Sequence, residues 1–251
     1  MSAEPRVRLY VLDGGQILGY DASELTDDGA YDGRLIDLPA PCFLIRHPDG
    51  DLMWDGGISA TRTDLDDVAA TGRALVEQLA IIRIMPADVR FVSISHGHWD
   101  HSGNAGVFAN STWIVNPGER AAMFDDEMRA TQAMDDYGTL ETATTLLITD
   151  DHDVFGDGSV QIIQSPGHTV GHTVLLVHLA DAGPILLSGD LWQLTESRAH
   201  RRVPPFNFDR AQTLASMDKV EALVAATGAR VIIQHEADDI ATLPQFPDYL
   251  V

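Results

Sequence analysis

The stretch FVSISHGHWDHSGNAGVF, residues 91–108, sets His96, His98, Asp100 and His101 within six consecutive positions directly behind a short apolar run. An apolar run of this length reads as a buried strand, and Gly97 and Gly103 allow the chain to turn sharply after it. The four polar side chains therefore belong to a tight loop at a sheet edge, where His96 and His98 can point one way while Asp100 and His101 close on the other side of the same small space. Imidazole and carboxylate ligate borderline and harder divalent ions, and three histidines with an aspartate exceed what one open catalytic zinc site takes from a single segment. Two adjacent metals are the economical expectation. Zinc, manganese, cobalt and iron all suit nitrogen and oxygen donors, and thiolate sites are excluded because Cys42 is the only cysteine. Cys42 itself sits in an apolar run and reads as a core residue.

Further donors stand where other strands should end. QSPGHTVGHT places His168 after Pro166 and Gly167, LLSGD places Asp190, and VIIQHE places His235. Strand ends can carry residues distant in sequence to one sheet edge with little backbone freedom left to lose. His172, four residues beyond His168, is separated from it by Gly171, so it reads as a residue behind the ligands or at a strand start. His47, His152, His178 and His200 have no convergent partners and read as ordinary histidines.

Nine apolar runs read as strands, beginning near Arg6, Pro41, Asp51, Arg90, Ser111, Ser159, His172, Pro184 and Ala229. The clearest helix is DRAQTLASMDKVEALVAATG, opened by Asp209 and Gln212, stopped by Gly228, and carrying Leu214, Met217, Val220, Leu223 and Val224 on one face. A second helix is expected from about Asp64 to Ile84, with Val68, Leu75, Leu79 and Ile82 at helical spacing, and a third after Pro117 and Gly118. Strands in groups with helices between them suggest stacked sheets covered by helices. No repeat or Gly/Ser linker interrupts the sequence, so a single domain over 1–251 is expected.

Composition narrows the partners. Sixteen basic against 38 acidic side chains give a formal charge of −22, which repels polyanions, so neither nucleic acid nor an anionic membrane is an expected partner. No stretch approaches the roughly 20 apolar residues of a bilayer span and no export signal is visible, so the expected compartment is the cytoplasm.

HGHWDH matches the H-x-H-x-D-H signature of the metallo-β-lactamase superfamily, and SPGHTVGH, SGD and QHE follow in the order of its remaining ligands. The resemblance runs from LYVLDGG and the LMWDGG segment with Asp55 to His235, and within the superfamily it is most similar to the N-acyl-homoserine lactonases. It implies an αββα sandwich of two packed mixed sheets flanked by helices, with two divalent metal ions, typically zinc. By position, His96, His98 and His168 would hold one metal, Asp100, His101 and His235 the other, and Asp190 would bridge them. The activity implied is hydrolytic opening of a small-molecule N-acyl-homoserine lactone, a quorum-quenching reaction, by a hydroxide shared between the metals, with Asp100 shuttling a proton.

Many such lactonases carry a tyrosine three residues after the bridging aspartate, where this chain has Gln193 beside Trp192. Gln193 could donate an amide hydrogen bond instead, Trp192 could line the acyl pocket or donate through its indole, or the metals alone could polarise the carbonyl. Met123, Phe124, Met128, Met134 and Tyr137 are candidates for an acyl channel, with packing of a helix onto the sheets as the plainer reading. Arg198, Arg201 and Arg202 form a basic cluster expected to pair with nearby acids, the alternative being to orient a substrate. The signature is less specific for substrate than for fold, so hydrolysis of another lactone, an ester, a thioester or a β-lactam stays open, as does a metal-binding module without hydrolytic activity. The sequence also leaves the oligomeric state open, a homodimer among the allowed forms.

Overall fold

Alternate residues of the strand Cys42–His47 face opposite ways, and that alternation organises the molecule. The computed structural model describes residues 6–65 and 67–251. Phe43 and Ile45 pack with Leu9, Leu52, Trp54 and Ile114 of their own sheet and with Ile162, Leu175, Val177, Leu187 and Ile232 of a second sheet, forming the layer between the two. Cys42 and Leu44 turn outward and pack with Leu75, Leu79, Phe108, Met123 and Tyr137 from helices and turns on the first sheet's outer face. On the far side of the second sheet, Ile163, Val174, Leu176 and Leu186 meet Met217 and Val220 of the helix Arg210–Thr227. Helix, sheet, sheet and helix thus stack in four layers, each strand contributing to two of them.

The first sheet has seven strands in the order Tyr249–Leu250, Arg8–Leu12, Cys42–His47, Gly50–Trp54, Phe91–Ser93, Thr112–Val115 and Thr145–Leu147. The second has five, in the order His152–Asp153, Val160–Gln164, Thr173–Leu179, Gly183–Leu187 and Arg230–Ile232. Both are mixed: pairing is antiparallel as far as Gly50–Trp54 in the first and Gly183–Leu187 in the second, and parallel beyond. The parallel strands all end on one edge.

All nine expected strands form, and among the described residues six more join them. Three of these, Gln16–Asp21, Leu35–Pro39 and Ala69–Ala70, make a small third sheet that the sequence did not announce. The helix expected over 64–84 is shorter, Leu75–Ile81. Ala69 and Ala70 pair with Ile17 and Gln16, and the Asp13 carboxylate fills the space a side chain at Gly72 would need, so the chain is extended where the spacing suggested a helix. Asp66 of that expected helix lies outside the described residues. The helix after Asn116 runs over Pro117–Met123, its first turn capped by Asn116 Oδ1 accepting from the Gly118 N–H at 2.8 Å. The Asp209 carboxylate caps Arg210–Thr227 in the same way, and Gly228 ends it at φ +69°. Among the described residues no helix is long and apolar enough to cross a membrane.

Candidate metal centre

Every candidate donor follows the end of a strand on the shared edge. His96 and His98 lie in the loop after Phe91–Ser93, with Asp100 and His101 in the single helical turn Trp99–Ser102 that follows. His168 lies beyond Val160–Gln164, Asp190 in the turn Gly189–Leu191 after Gly183–Leu187, and His235 beyond Arg230–Ile232. The chain folds these five segments onto one spot and buries six of the seven residues, His98 being half-buried.

The donor atoms form two groups. In the first, His98 Nδ1 lies 2.8 Å from His96 Nε2 and 3.1 Å from His168 Nε2, and Asp190 Oδ2 lies 3.2 Å from His168 Nε2. In the second, Asp100 Oδ2 lies 3.4 Å from both His101 Nε2 and His235 Nε2, which are 3.3 Å apart, and Asp190 Oδ1 lies 3.0 and 3.1 Å from the same two nitrogens. Asp190 gives one oxygen to each group. The two groups satisfy the proximity required to hold an ion each.

The remaining ring nitrogens fix what these atoms can be. His101 Nδ1–H donates to Asp55 Oδ2 at 3.0 Å, His235 Nδ1–H to the Pro39 carbonyl at 2.8 Å, and His168 Nδ1–H to Asn207 Oδ1 at 2.9 Å. When neutral, rings so held turn bare Nε2 lone pairs toward one another, an arrangement that repels unless a cation lies between them. Asp190 Oδ1 is buried with no hydrogen-bond partner of its own. A tetrahedral ion with donors about 2.0–2.1 Å away has donor–donor edges of about 3.3–3.4 Å, close to the spacing in the second group. The residues fit a pair of divalent ions.

Electrostatics divide the groups. Burial, reinforced by His101 and His98, holds His96 well below the usual imidazole range, and burial with His168 brings His98 to about 4. Burial also lowers His101, but Asp190, Asp100 and Asp55 outweigh it and hold the ring well above its ordinary value. His235 is raised too, burial being overcome first by Asp190. Asp190 is itself held well below the carboxylate range, since His235, His101 and His96 outweigh its burial.

Asp55, noted in the sequence only as part of the LMWDGG segment and given no role there, is a positioning group. It sits at φ +58°, and its carboxylate accepts from the Ser95 N–H at 2.6 Å and from Gln234 Nε2 at 2.8 Å besides His101. It fastens the strand ends that lead to His96 and His235 to one another. Such a backbone conformation costs on the order of 1–3 kcal/mol outside glycine, which these bonds offset. His172 is behind the donors, its Nε2 accepting from the Asp190 N–H at 2.9 Å.

A cavity of about 210 Å³ opens over Asp100, Asp190 and His235, walled by Ile17, Tyr20, Leu38, Gln193 and Phe206. His98 and Phe206 also border an adjoining groove of about 430 Å³, lined by Met123, Met128, Val170 and Phe208. A larger cavity of about 520 Å³ beside Leu12, Asp13 and Phe246 contains none of the seven donors.

Gln193 reaches the site, its Nε2 donating to Asp190 Oδ2 at 3.0 Å. Trp192 does not: alternate side chains of the turn face opposite ways, and its indole is packed among Leu176, Val203 and Met217 beneath the second sheet, with the Arg198 guanidinium 5.1 Å from the ring centroid. An acyl-lining or hydrogen-bonding part for Trp192 is therefore corrected. Of the candidate channel residues, Met123 and Met128 line the groove, while Phe124, Tyr137 and Met134 pack in the core behind it. Arg198 and Arg202 pair with Glu221 and Asp28 at 2.7 and 3.0 Å, Arg201 with Asp218, and none borders the cavity. Tyr20, Asn207 and Phe206 were missed in the sequence because they stand in ordinary loop or strand contexts.

A model of the metallo-beta-lactamase superfamily matches residues 35–235. The chain is 30% identical over 261 aligned positions to the N-acyl homoserine lactonase AttM of Azorhizobium caulinodans, covering 97% of this chain and 98% of the relative. Among solved structures, a quorum-quenching N-acyl homoserine lactone lactonase superposes with a TM-score of 0.83 at 25% identity, over 96% of this chain and 97% of the other. AidC, a dizinc quorum-quenching lactonase in complex with the product N-hexanoyl-L-homoserine, superposes with a TM-score of 0.70 at 16% identity, over 97% and 89%.

Proposed function

The chain belongs to the metallo-β-lactamase superfamily, and from that membership we propose that it is a metal-dependent hydrolase opening the ring of N-acyl-homoserine lactones, a quorum-quenching activity, with His96, His98 and His168 on one zinc ion, Asp100, His101 and His235 on a second, and Asp190 on both. The observation that carries this reading is Asp190, whose two oxygens face separate donor groups and whose buried Oδ1 has no hydrogen-bond partner. Full-length similarity to curated lactonases supports the choice of substrate. Divalent ions held by these residues would supply an acidified water near neutral pH and Lewis-acid polarisation of a carbonyl.

The chain's own residues supply the rest. Burial opposes the charge on Asp100, but His101 and His235 outweigh it, so this residue stays a carboxylate beside the cavity. It would take the proton released as water adds to the ring carbonyl and return it to the ring oxygen as the carbon–oxygen bond breaks, giving an N-acyl-homoserine whose carboxylic acid then releases its remaining proton to solvent. Gln193, through its bond to Asp190 Oδ2, holds the Asp190 carboxylate with one oxygen toward each donor group. Tyr20 lines the same cavity from the small third sheet, its hydroxyl donating to Glu24 at 3.0 Å. Burial and the Glu24 carboxylate raise its pKa, keeping the phenol protonated, and its one proton reaches a substrate carbonyl only when the hydroxyl turns from Glu24 toward the cavity. The acyl chain runs from the cavity past Phe206 into the groove with Met123 and Met128.

The test is proton release at constant pH from the zinc-loaded protein with short-chain and long-chain N-acyl-homoserine lactones, with a thioester and a β-lactam as controls. Chelator-sensitive acid production on the lactones is expected. Silence on lactones with turnover of a control would keep the metal centre and discard the substrate.

A further inference from the structure

Glu119 is a buried carboxylate that touches none of the seven donors yet binds both loops that carry the first group. It stands in the helix Pro117–Met123 at 3% exposure. Its Oε1 accepts from the Gly97 N–H at 2.7 Å, the peptide between His96 and His98. Its Oε2 accepts from the Thr169 hydroxyl at 2.7 Å and the Gly171 N–H at 2.9 Å, within the loop that begins with His168. One oxygen serves the loop from the first sheet, the other the loop from the second.

Both loops are shaped for this approach. A Cβ at Gly97 would lie 2.7 Å from Met123 Cγ, and one at Gly171 would lie 2.7 Å from Glu119 Cβ and 2.8 Å from Asn116 Cβ. Glycine at these two positions brings the peptide N–H groups onto the helix. A buried carboxylate is costly unless its lone pairs are occupied, and here charge-assisted bonds occupy them. Asp55 is the clasp that touches the second donor group, through His101 and Gln234; it also holds Ser95, ahead of His96, but neither His98 nor the His168 loop.

We propose that Glu119 is the positioning residue of the first metal position alone: by fixing the His96–His98 peptide against the His168 loop it sets the spacing of those three imidazoles, leaving Asp100, His101 and His235 to Asp55. This rests on the ligand assignment proposed above. Glutamine at 119 keeps the size but offers one acceptor oxygen and an NH₂ that faces N–H donors, so one loop loses its hold.

The experiment titrates zinc-loaded full-length protein with a chromophoric chelator and reads two affinities per chain, in wild type, Glu119→Gln, Thr169→Val, His98→Ala and the Glu119→Gln/His98→Ala double variant. The expected result is that Glu119→Gln weakens one affinity by about 10–100-fold and leaves the other within about twofold, as loss of a group supporting a ligand does. Thr169→Val should weaken the same affinity by a smaller factor, and the double variant should hold its remaining zinc as tightly as His98→Ala does. Equal weakening of both affinities, further loss in the double variant, or unchanged affinities would overturn the proposal. If Glu119→Gln does not fold, Thr169→Val decides alone, since unaltered affinity there is also refuting. A wild-type chain holding no zinc removes the ligand assignment and this inference with it; two ions held equally well by wild type and Glu119→Gln remove only this inference.

Discussion

His172 Nε2 accepts a hydrogen bond from the Asp190 backbone N–H at 2.9 Å while its Nδ1–H donates to the Ser165 carbonyl at 3.1 Å. The ring thereby ties the turn that carries the carboxylate between the two groups to the strand end that leads to His168. Burial brings its pKa down to about 3, so it stays neutral and keeps Nε2 an acceptor at any working pH. Gly189 is part of the same joint, since a Cβ there would lie 2.7 Å from His172 Nε2.

Replacing His172 by alanine should therefore lower kcat/KM by about 10–100-fold, the usual cost of losing a group behind a metal ligand. His172→Gln, whose amide oxygen can accept from the Asp190 N–H, should recover part of the loss. Lactone hydrolysis measured beside zinc content checks this, and full activity in His172→Ala would show that the turn needs no such support.

The opposite pKa directions of the two donor groups give the centre a pH signature. Without metal, the carboxylates of Asp190 and Asp100 favour the protonated forms of His101 and His235, whereas burial favours the neutral forms of His96 and His98. An ion entering the second group must displace protons, and one entering the first need not. Metal at the Asp100, His101 and His235 position should thus be lost first as pH falls, with the other ion retained longer, read as metal per chain after dialysis. For the metal-free chain the linkage runs the other way. A raised histidine pKa stabilises the fold below about pH 6.5, the unfolded value, and that contribution disappears as pH rises through the folded value, so its Tm should fall with increasing pH. Simultaneous loss of both ions would contradict the division.

Much of this centre was legible because its donors advertise themselves. Three histidines and an aspartate in HGHWDH, and single donors behind apolar runs at His168, Asp190 and His235, are rare enough in sequence to be noticed, and strand ends need little else to converge. The groups that hold the donors are legible only in three dimensions. Glu119 lies in NPGERAAM, where a glutamate in the first turn of a helix reads as solvated; its only signal is that it shares a face with Met123, four residues on. Asp55 follows a buried strand like many turn residues, and its positive φ is invisible in the sequence. The expected helix over 64–84 failed for a related reason, since helical spacing of Val68, Leu75 and Leu79 cannot report that Ala69 and Ala70 pair with Ile17 and Gln16 of a strand far earlier in the chain.

Adjacent residues Gln193 and Trp192 should separate cleanly under mutation. Gln193→Leu removes the amide that donates to Asp190 Oδ2 and should lower kcat by about 10–100-fold, since a hydrogen bond to a charged group is worth about 1.5–3 kcal/mol. Trp192→Phe alters a fully buried core side chain and should lower Tm while leaving kcat within about twofold. Rates and thermal melts on both variants decide it, and a Trp192→Phe enzyme with intact stability and lost turnover would restore the indole to the reaction.

Acyl-chain preference should be governed by Phe206 and Phe208, not by Phe124. The Phe206 ring stands 5.7 Å from the His168 ring and 6.3 Å from that of His98, centroid to centroid, where a chain leaving the lactone must pass. Phe206 and Phe208 are 47% and 65% exposed, so they have apolar surface to give to a ligand, whereas Phe124 is 7% exposed and has spent its own on Trp113 and Tyr137. Four extra methylenes are worth about 3 kcal/mol if fully buried, at about 0.8 kcal/mol each, and about half that along an open groove, roughly a tenfold preference for an eight-carbon over a four-carbon chain. Phe206→Ala should abolish most of that preference with little change on the short substrate. Phe124→Ala should instead destabilise the fold by about 3–5 kcal/mol and leave the ratio of kcat/KM between the two chain lengths unaltered. A chain-length ratio that moves with Phe124 and not with Phe206 would place the acyl chain under the helix Pro117–Met123 instead of along the groove.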